Sequence, residues 1–100
     1  MPLEKDWLGK YSWEFVTALN ALLCRSKNAL HRPTSEGHEA IRDLWESRYR
    51  EAMTLTDTVE LCRRGHRGAP FCFYNGNTFA AIICDVIGLV NDHPRRRWLC

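Results

Sequence analysis

Apolar residues recur at three- and four-residue intervals through most of the chain, and the breaks in that rhythm fall at Pro33, at Gly65 to Pro70 and at Pro94. Such spacing is the mark of amphipathic helices, and four segments carry it. The first runs from about Trp7 to Cys24, with Leu8, Tyr11, Phe15, Leu19 and Leu22 in register, Trp13, Val16 and Leu23 widening the stripe, and Asp6 placed to cap its start. The second runs from about Ser35 to Met53, entered through Pro33-Thr34-Ser35, with Ile41, Leu44, Trp45, Tyr49, Ala52 and Met53 on one side. On its wet side Glu46 and Arg50 stand one turn apart and can pair. A short third helix, about Asp57 to Arg64, has a capping-box relation between Asp57 and Glu60 and places Gly65 where a left-handed cap belongs.

Two rules disagree over the fourth segment. Phe79, Ile82, Ile83, Val86, Ile87 and Val90 keep the helical period, whereas Phe71 to Tyr74 followed by Asn75-Gly76 is a hairpin signal. The thirteen-residue length of the periodic run and the Ala80-Ala81 pair favour a helix beginning at Asn77 or Thr78. Only Asp85 and the closing Asn91-Asp92 are plainly polar, so this helix is expected to be the most enclosed, packed against the second. The fold class expected is all-α: one small domain over residues 1–100, a bundle of about four helices, with a possible short extended segment near 71–74.

Length and composition agree with this. One hundred residues make one domain, and 45% apolar with 26% charged residues is a foldable composition. At this size roughly 60–65% of the unfolded surface can be buried, so a partner or second copy would add to a marginal core. Five cysteines, an odd number, with no segment patterned as a signal peptide, predict reduced thiols and a cytoplasmic or nuclear setting. The apolar run Thr78 to Val90 falls short of the ~18–20 residues of a membrane span.

Charge is uneven. The net charge is +2, yet six Arg face two Asp from Leu61 onward, against eight basic and ten acidic residues before it. Arg63, Arg64 and Arg67, with His66, form one basic cluster, and His93-Pro94-Arg95-Arg96-Arg97-Trp98 forms a second. Arginine forks onto phosphate and stacks on bases, and tryptophan offers any base a platform, so Arg63, Arg64, Arg67, Arg95, Arg96, Arg97 and Trp98 are the candidate nucleic-acid contacts. The plainer reading makes the first cluster a helix-dipole complement and the second a solvated tail.

Catalytic and metal chemistry are poorly supported. The chain has no Gx4GK[ST], GxGxxG, GxSxG or HExxH motif, and the expectation is a non-enzymatic protein without a cofactor. Cys62, His66 and Cys72 gather about one loop and are the alternative zinc ligands, but no Cys-x-x-Cys pair exists, and structural thiols are the expectation. Four tryptophans are many for this length. Trp7, Trp13 and Trp45 fall on amphipathic stretches, and any left exposed would be an anchor for a partner. The rival to nucleic-acid binding is therefore a protein-interaction module, possible also as a homodimer, that uses tryptophans and the apolar helix at 79–90.

Pro33-Thr34-Ser35-Glu36-Gly37-His38-Glu39-Ala40-Ile41-Arg42-Asp43-Leu44 resembles a stretch of the geminivirus pre-coat protein, which has Pro, Gly-His-Asp and Ile-Arg-Asp-Leu at the same spacing. Phe15 and Leu19 match upstream, and Val59-Glu60, Arg63-Arg64, His66, Gly68 and Pro70 match downstream with about five residues inserted here. The family's Cys-Cys-Cys-Pro-His-Cys tail has no counterpart, because this chain continues into the apolar stretch from Phe71. The resemblance covers about half the chain. It implies a small viral accessory protein that acts in the host cell, suppresses host RNA silencing, binds RNA or DNA without strong sequence preference and aids viral movement.

Overall fold

The computed structural model describes residues 3–91, with side chains through residue 88. Four helices follow in order: α1 (Trp13–Ser26), α2 (Gly37–Arg48), α3 (Leu55–Gly68) and α4 (Asn75–Asn91). The fold is all-α, as the periodicity requires.

The helix ends differ from the sequence expectation for local reasons. Asp6 does not open α1. Residues 7–10 form tight turns, with the Gly9 amide on the Asp6 carbonyl and the Tyr11 amide on the Leu8 carbonyl, and Ser12 caps α1 by accepting from the Phe15 amide at 3.2 Å. Trp7 therefore stands off the helix. Helix α2 stops at Arg48 because Met53 is drawn into an antiparallel bridge with Lys5, at 3.0 and 2.9 Å. Thr54 caps α3 by accepting from the Asp57 amide, so α3 begins two residues before the expected Asp57. Its left-handed cap is Ala69 at φ 46°, not Gly65, which lies buried inside the helix.

Asn75-Gly76 makes no hairpin. The Asn75 side chain clamps Phe71, accepting from its amide at 2.9 Å and donating to its carbonyl at 2.6 Å, and α4 starts there, ahead of the expected caps Asn77 and Thr78. Of the extended piece expected near 71–74, only Phe71 pairs, in an isolated bridge with Pro33.

The two bridges fix the topology. Lys5 with Met53 ties the start of α1 to the α2–α3 connection, and Pro33 with Phe71 ties the α1–α2 connection to the α3–α4 connection. The helices must then run up, down, up, down, each beside the next, with α4 returning against α1. Helices α2 and α4 are diagonal, which corrects the expectation that they pack side by side. They meet only through side chains, the rings of Trp45 and Phe79 lying 5.6 Å apart across the core.

Trp45 anchors that core, fully buried and with its indole N–H satisfied by the Tyr11 carbonyl at 2.7 Å. Ile41 and Tyr49 share its face, as their spacing requires, and Met53, beyond the helix, is buried in the same core from its bridge with Lys5. In α1 the register is rotated from the expected stripe. Trp13, Val16, Asn20 and Cys24 point inward, while Phe15 and Leu22 are 44% and 58% exposed. The expected Glu46–Arg50 pair does not form. Glu46 pairs with Arg42 at 3.6 Å, and Arg50 lies over the Tyr49 ring.

Candidate interaction surfaces

At the end of the bundle where α3 begins, a groove runs between α3 and α4. Leu55, Val59 and Arg63 recur every fourth residue on α3, and Ile83, Val86 and Ile87 face them from α4, enclosing an open groove of about 540 Å³. The floor is apolar and the rim carries Asp57, Glu60 and Arg63. Ile83, expected to be a core residue, is a half-buried wall of this groove, whereas Ile82 and Val86 are fully buried. Helix α4 holds one charged residue, Asp85, yet exposes Asn77, Ala80, Ala81 and Ile87. A partly exposed helix with a single charged residue is unusual on a water-facing surface.

The basic cluster fans around the C-terminal half of α3. Arg63, Arg64, His66 and Arg67 are all exposed. Arg67 is already committed: two turns separate it from Glu60, and the two pair at 2.9 Å. Arg63 and Arg64 make no ion pair within the described residues. Arg95, Arg96, Arg97 and Trp98 lie outside the described residues. Without residues 92–100 the chain has eleven basic and eleven acidic side chains, so residues 1–91 are electroneutral, and the positive excess lies in the sequence after Asn91.

The alternative zinc ligands are not brought together. Cys62 is sealed in the core, where burial pushes its thiol up to about 12, while His66 and Cys72 are exposed. Among the described residues no group of three or more His, Cys, Asp or Glu could hold a metal ion. The tryptophans are poor anchors too: Trp13 and Trp45 are core residues, and half-buried Trp7 lies beneath Lys5. No described helix is long and apolar enough to cross a membrane.

Sequence reasoning missed a buried polar network at the opposite end of the bundle. Asn20 is wholly buried and donates to the Phe73 carbonyl at 2.8 Å and to Thr78 Oγ1 at 3.1 Å, while His31 Nδ1 and the Cys24 thiol reach its Oδ1 at 2.9 and 3.5 Å. Thr78 Oγ1 in turn donates to the Tyr74 carbonyl at 2.8 Å. The signal was an asparagine at the i+4 position between Val16 and Cys24, a polar residue on what proves to be the core face. Beside it, the rings of His31, His38 and Trp13 surround Phe71 at 5.5–5.8 Å. Every member is thus tied to another element, and the cluster works as a staple between α1, α2 and the α3–α4 connection. Burial, and then the Arg42 guanidinium, hold His38 below the usual imidazole range.

Compared with known proteins, the chain matches no protein-family model, no curated protein and no solved structure.

Proposed function

We propose that the protein is a non-enzymatic interaction module that receives an apolar segment of a partner polypeptide in the groove between α3 and α4. The observation that carries this reading is the pairing of electroneutral residues 1–91 with a groove lined by the apolar side chains of Val59, Ile83, Val86 and Ile87. Apolar contact is the interaction such a surface can make, and its strength follows the area removed from water. Selection of displayed peptides against the full chain is the test. Peptides with apolar anchors should emerge, bind with little dependence on salt, and fail on Ile87→Glu, an exposed position whose change leaves the fold intact. Failure to select any peptide sensitive to Ile87→Glu would defeat the reading.

A second reading has its own observation in Arg63 and Arg64, adjacent, exposed and without ion pairs among the described residues. With Arg95, Arg96, Arg97 and Trp98 they would contact the phosphates and bases of RNA or DNA. Together with the geminivirus pre-coat resemblance, that reading makes the protein a suppressor of RNA silencing in a host cell. Salt discriminates the two, because phosphate contacts weaken steeply as ionic strength rises.

A further inference from the structure

The outward face of α1 has an unusual composition. Its exposed residues are Glu14, Phe15, Ala18, Leu22, Arg25 and Ser26. Two large apolar side chains occupy the middle of the stripe, and one acid and one base stand at its ends. Glu14 and Arg25 are eleven residues apart, three turns at 3.6 residues each, so they lie on nearly the same meridian as the stripe between them. Neither makes an ion pair among the described residues. An acid in the first turn and a base in the last also suit the helix's own dipole. That accounts for the two charges and leaves Phe15 and Leu22 in water.

We propose that this face docks a second copy of the same chain, with the two α1 helices antiparallel about a two-fold axis between Ala18 and Asn20, midway between the Phe15–Leu22 and Glu14–Arg25 pairs. The pattern is its own complement under that rotation. Glu14 meets the partner's Arg25, Arg25 meets the partner's Glu14, and Phe15 packs beside the partner's Leu22. Ala18, the exposed residue beside the axis, is small enough for the helices to approach closely. An isologous contact needs a surface that matches itself when reversed, and an acid–apolar–base stripe does so, whereas a stripe of one charge would repel its copy. Helix α4, which packs beside α1, adds the uncharged Ala80 and Ala81 to the same kind of surface.

The contact is small. A 14-residue helix is about 21 Å long, so the strip falls well below the ~800 Å² per partner of a standard interface, and the association belongs with weak, reversible ones. The dimer does not depend on the α3–α4 groove and would stand if the groove bound nothing.

Sedimentation velocity on the full chain, with reductant present, tests it over a range of concentrations. A reversible monomer–dimer equilibrium is expected. Glu14→Arg alone and Arg25→Glu alone should each weaken it by about tenfold, since both exposed pairs turn repulsive. The combined Glu14→Arg/Arg25→Glu variant should return to near the parent, and an equimolar mixture of the two single variants should form mixed dimers. Leu22→Lys should abolish dimerisation while leaving the far-ultraviolet dichroism unchanged. A chain monomeric at every concentration overturns the proposal, and so does a dimer that the combined variant fails to restore.

Discussion

Replacing Gly65 with Ala sets two effects of opposite sign against each other. In the middle of an exposed helix the change stabilises by about 1 kcal/mol, because glycine is the poorest ordinary helix former. Gly65, however, is buried in α3 against the edge of Phe79, and a Cβ there would lie 2.6 Å from Cζ, 2.7 Å from Cε1 and 3.0 Å from Cδ1. Restoring even a tight contact of 3.4 Å requires a displacement of about 0.8 Å. Phe79 is 1% exposed and faces Trp45, so its ring has little room to retreat. Overpacking of a well-filled core costs about 1–3 kcal/mol. The net expectation is destabilisation by about 0.5–2 kcal/mol, read as a lower urea midpoint at unchanged slope. Phe79→Leu removes the offending edge, so Gly65→Ala made in that background should recover its helix benefit, a coupling of about 1 kcal/mol or more. If Gly65→Ala alone raised stability by about 1 kcal/mol, the close approach of α3 to α4 at this glycine would be wrong.

Three further outcomes follow from the same packing. Asn20→Ala removes the amide donor to the Phe73 carbonyl and to Thr78 and the oxygen that His31 contacts, and should cost about 2–4 kcal/mol in urea unfolding, with no comparable loss for the exposed Asn77→Ala. Cys72 should alkylate readily in the native protein at neutral pH, whereas Cys62, buried with its thiol near 12, and Cys24, whose thiol burial also raises, should label only on unfolding, as peptide mapping will show. His38 is held below its unfolded value by burial and by Arg42 and His31, with Glu39 acting in the opposite sense. Between the folded and unfolded values the unfolded chain binds a proton that the native one does not, so stability is present above about pH 6.5 and falls as pH drops below it. His38→Gln should flatten that part of the profile, and an unchanged profile would exclude the residue as the cause.

The four helices were legible because each buries a face, and burial imposes a 3.6-residue period that the chain displays directly. Which face is buried was legible only where the alternatives were polar. In α2 the opposite side carries Glu39, Asp43 and Glu46, and Ile41, Trp45 and Tyr49 could only point inward. In α1 both sides are apolar, so the period allowed two registers, and the contacts of Trp13 with Phe71 and of Asn20 with Thr78 selected the one that leaves Phe15 and Leu22 in water. Local turn rules failed at Asn75-Gly76 for a related reason: a hairpin needs a second strand, and the clamp on Phe71 favours a helix start. The groove was half legible. Val59, Ile83 and Ile87 were plainly apolar helix positions, but that they face one another across α3 and α4 is a relation between two helices that no single-helix pattern contains.

The claim that apolar surface rather than phosphate contact carries the function is tested most directly by anisotropy titrations of labelled single- and double-stranded RNA with the full chain at about 50 and 200 mM salt. Binding that is weak at the lower salt, absent at the higher, and indifferent to Ile87→Glu is the predicted result. Submicromolar binding that persists at the higher salt and is lost in the Arg63→Ala/Arg64→Ala variant would contradict the account and make the protein a nucleic-acid binder.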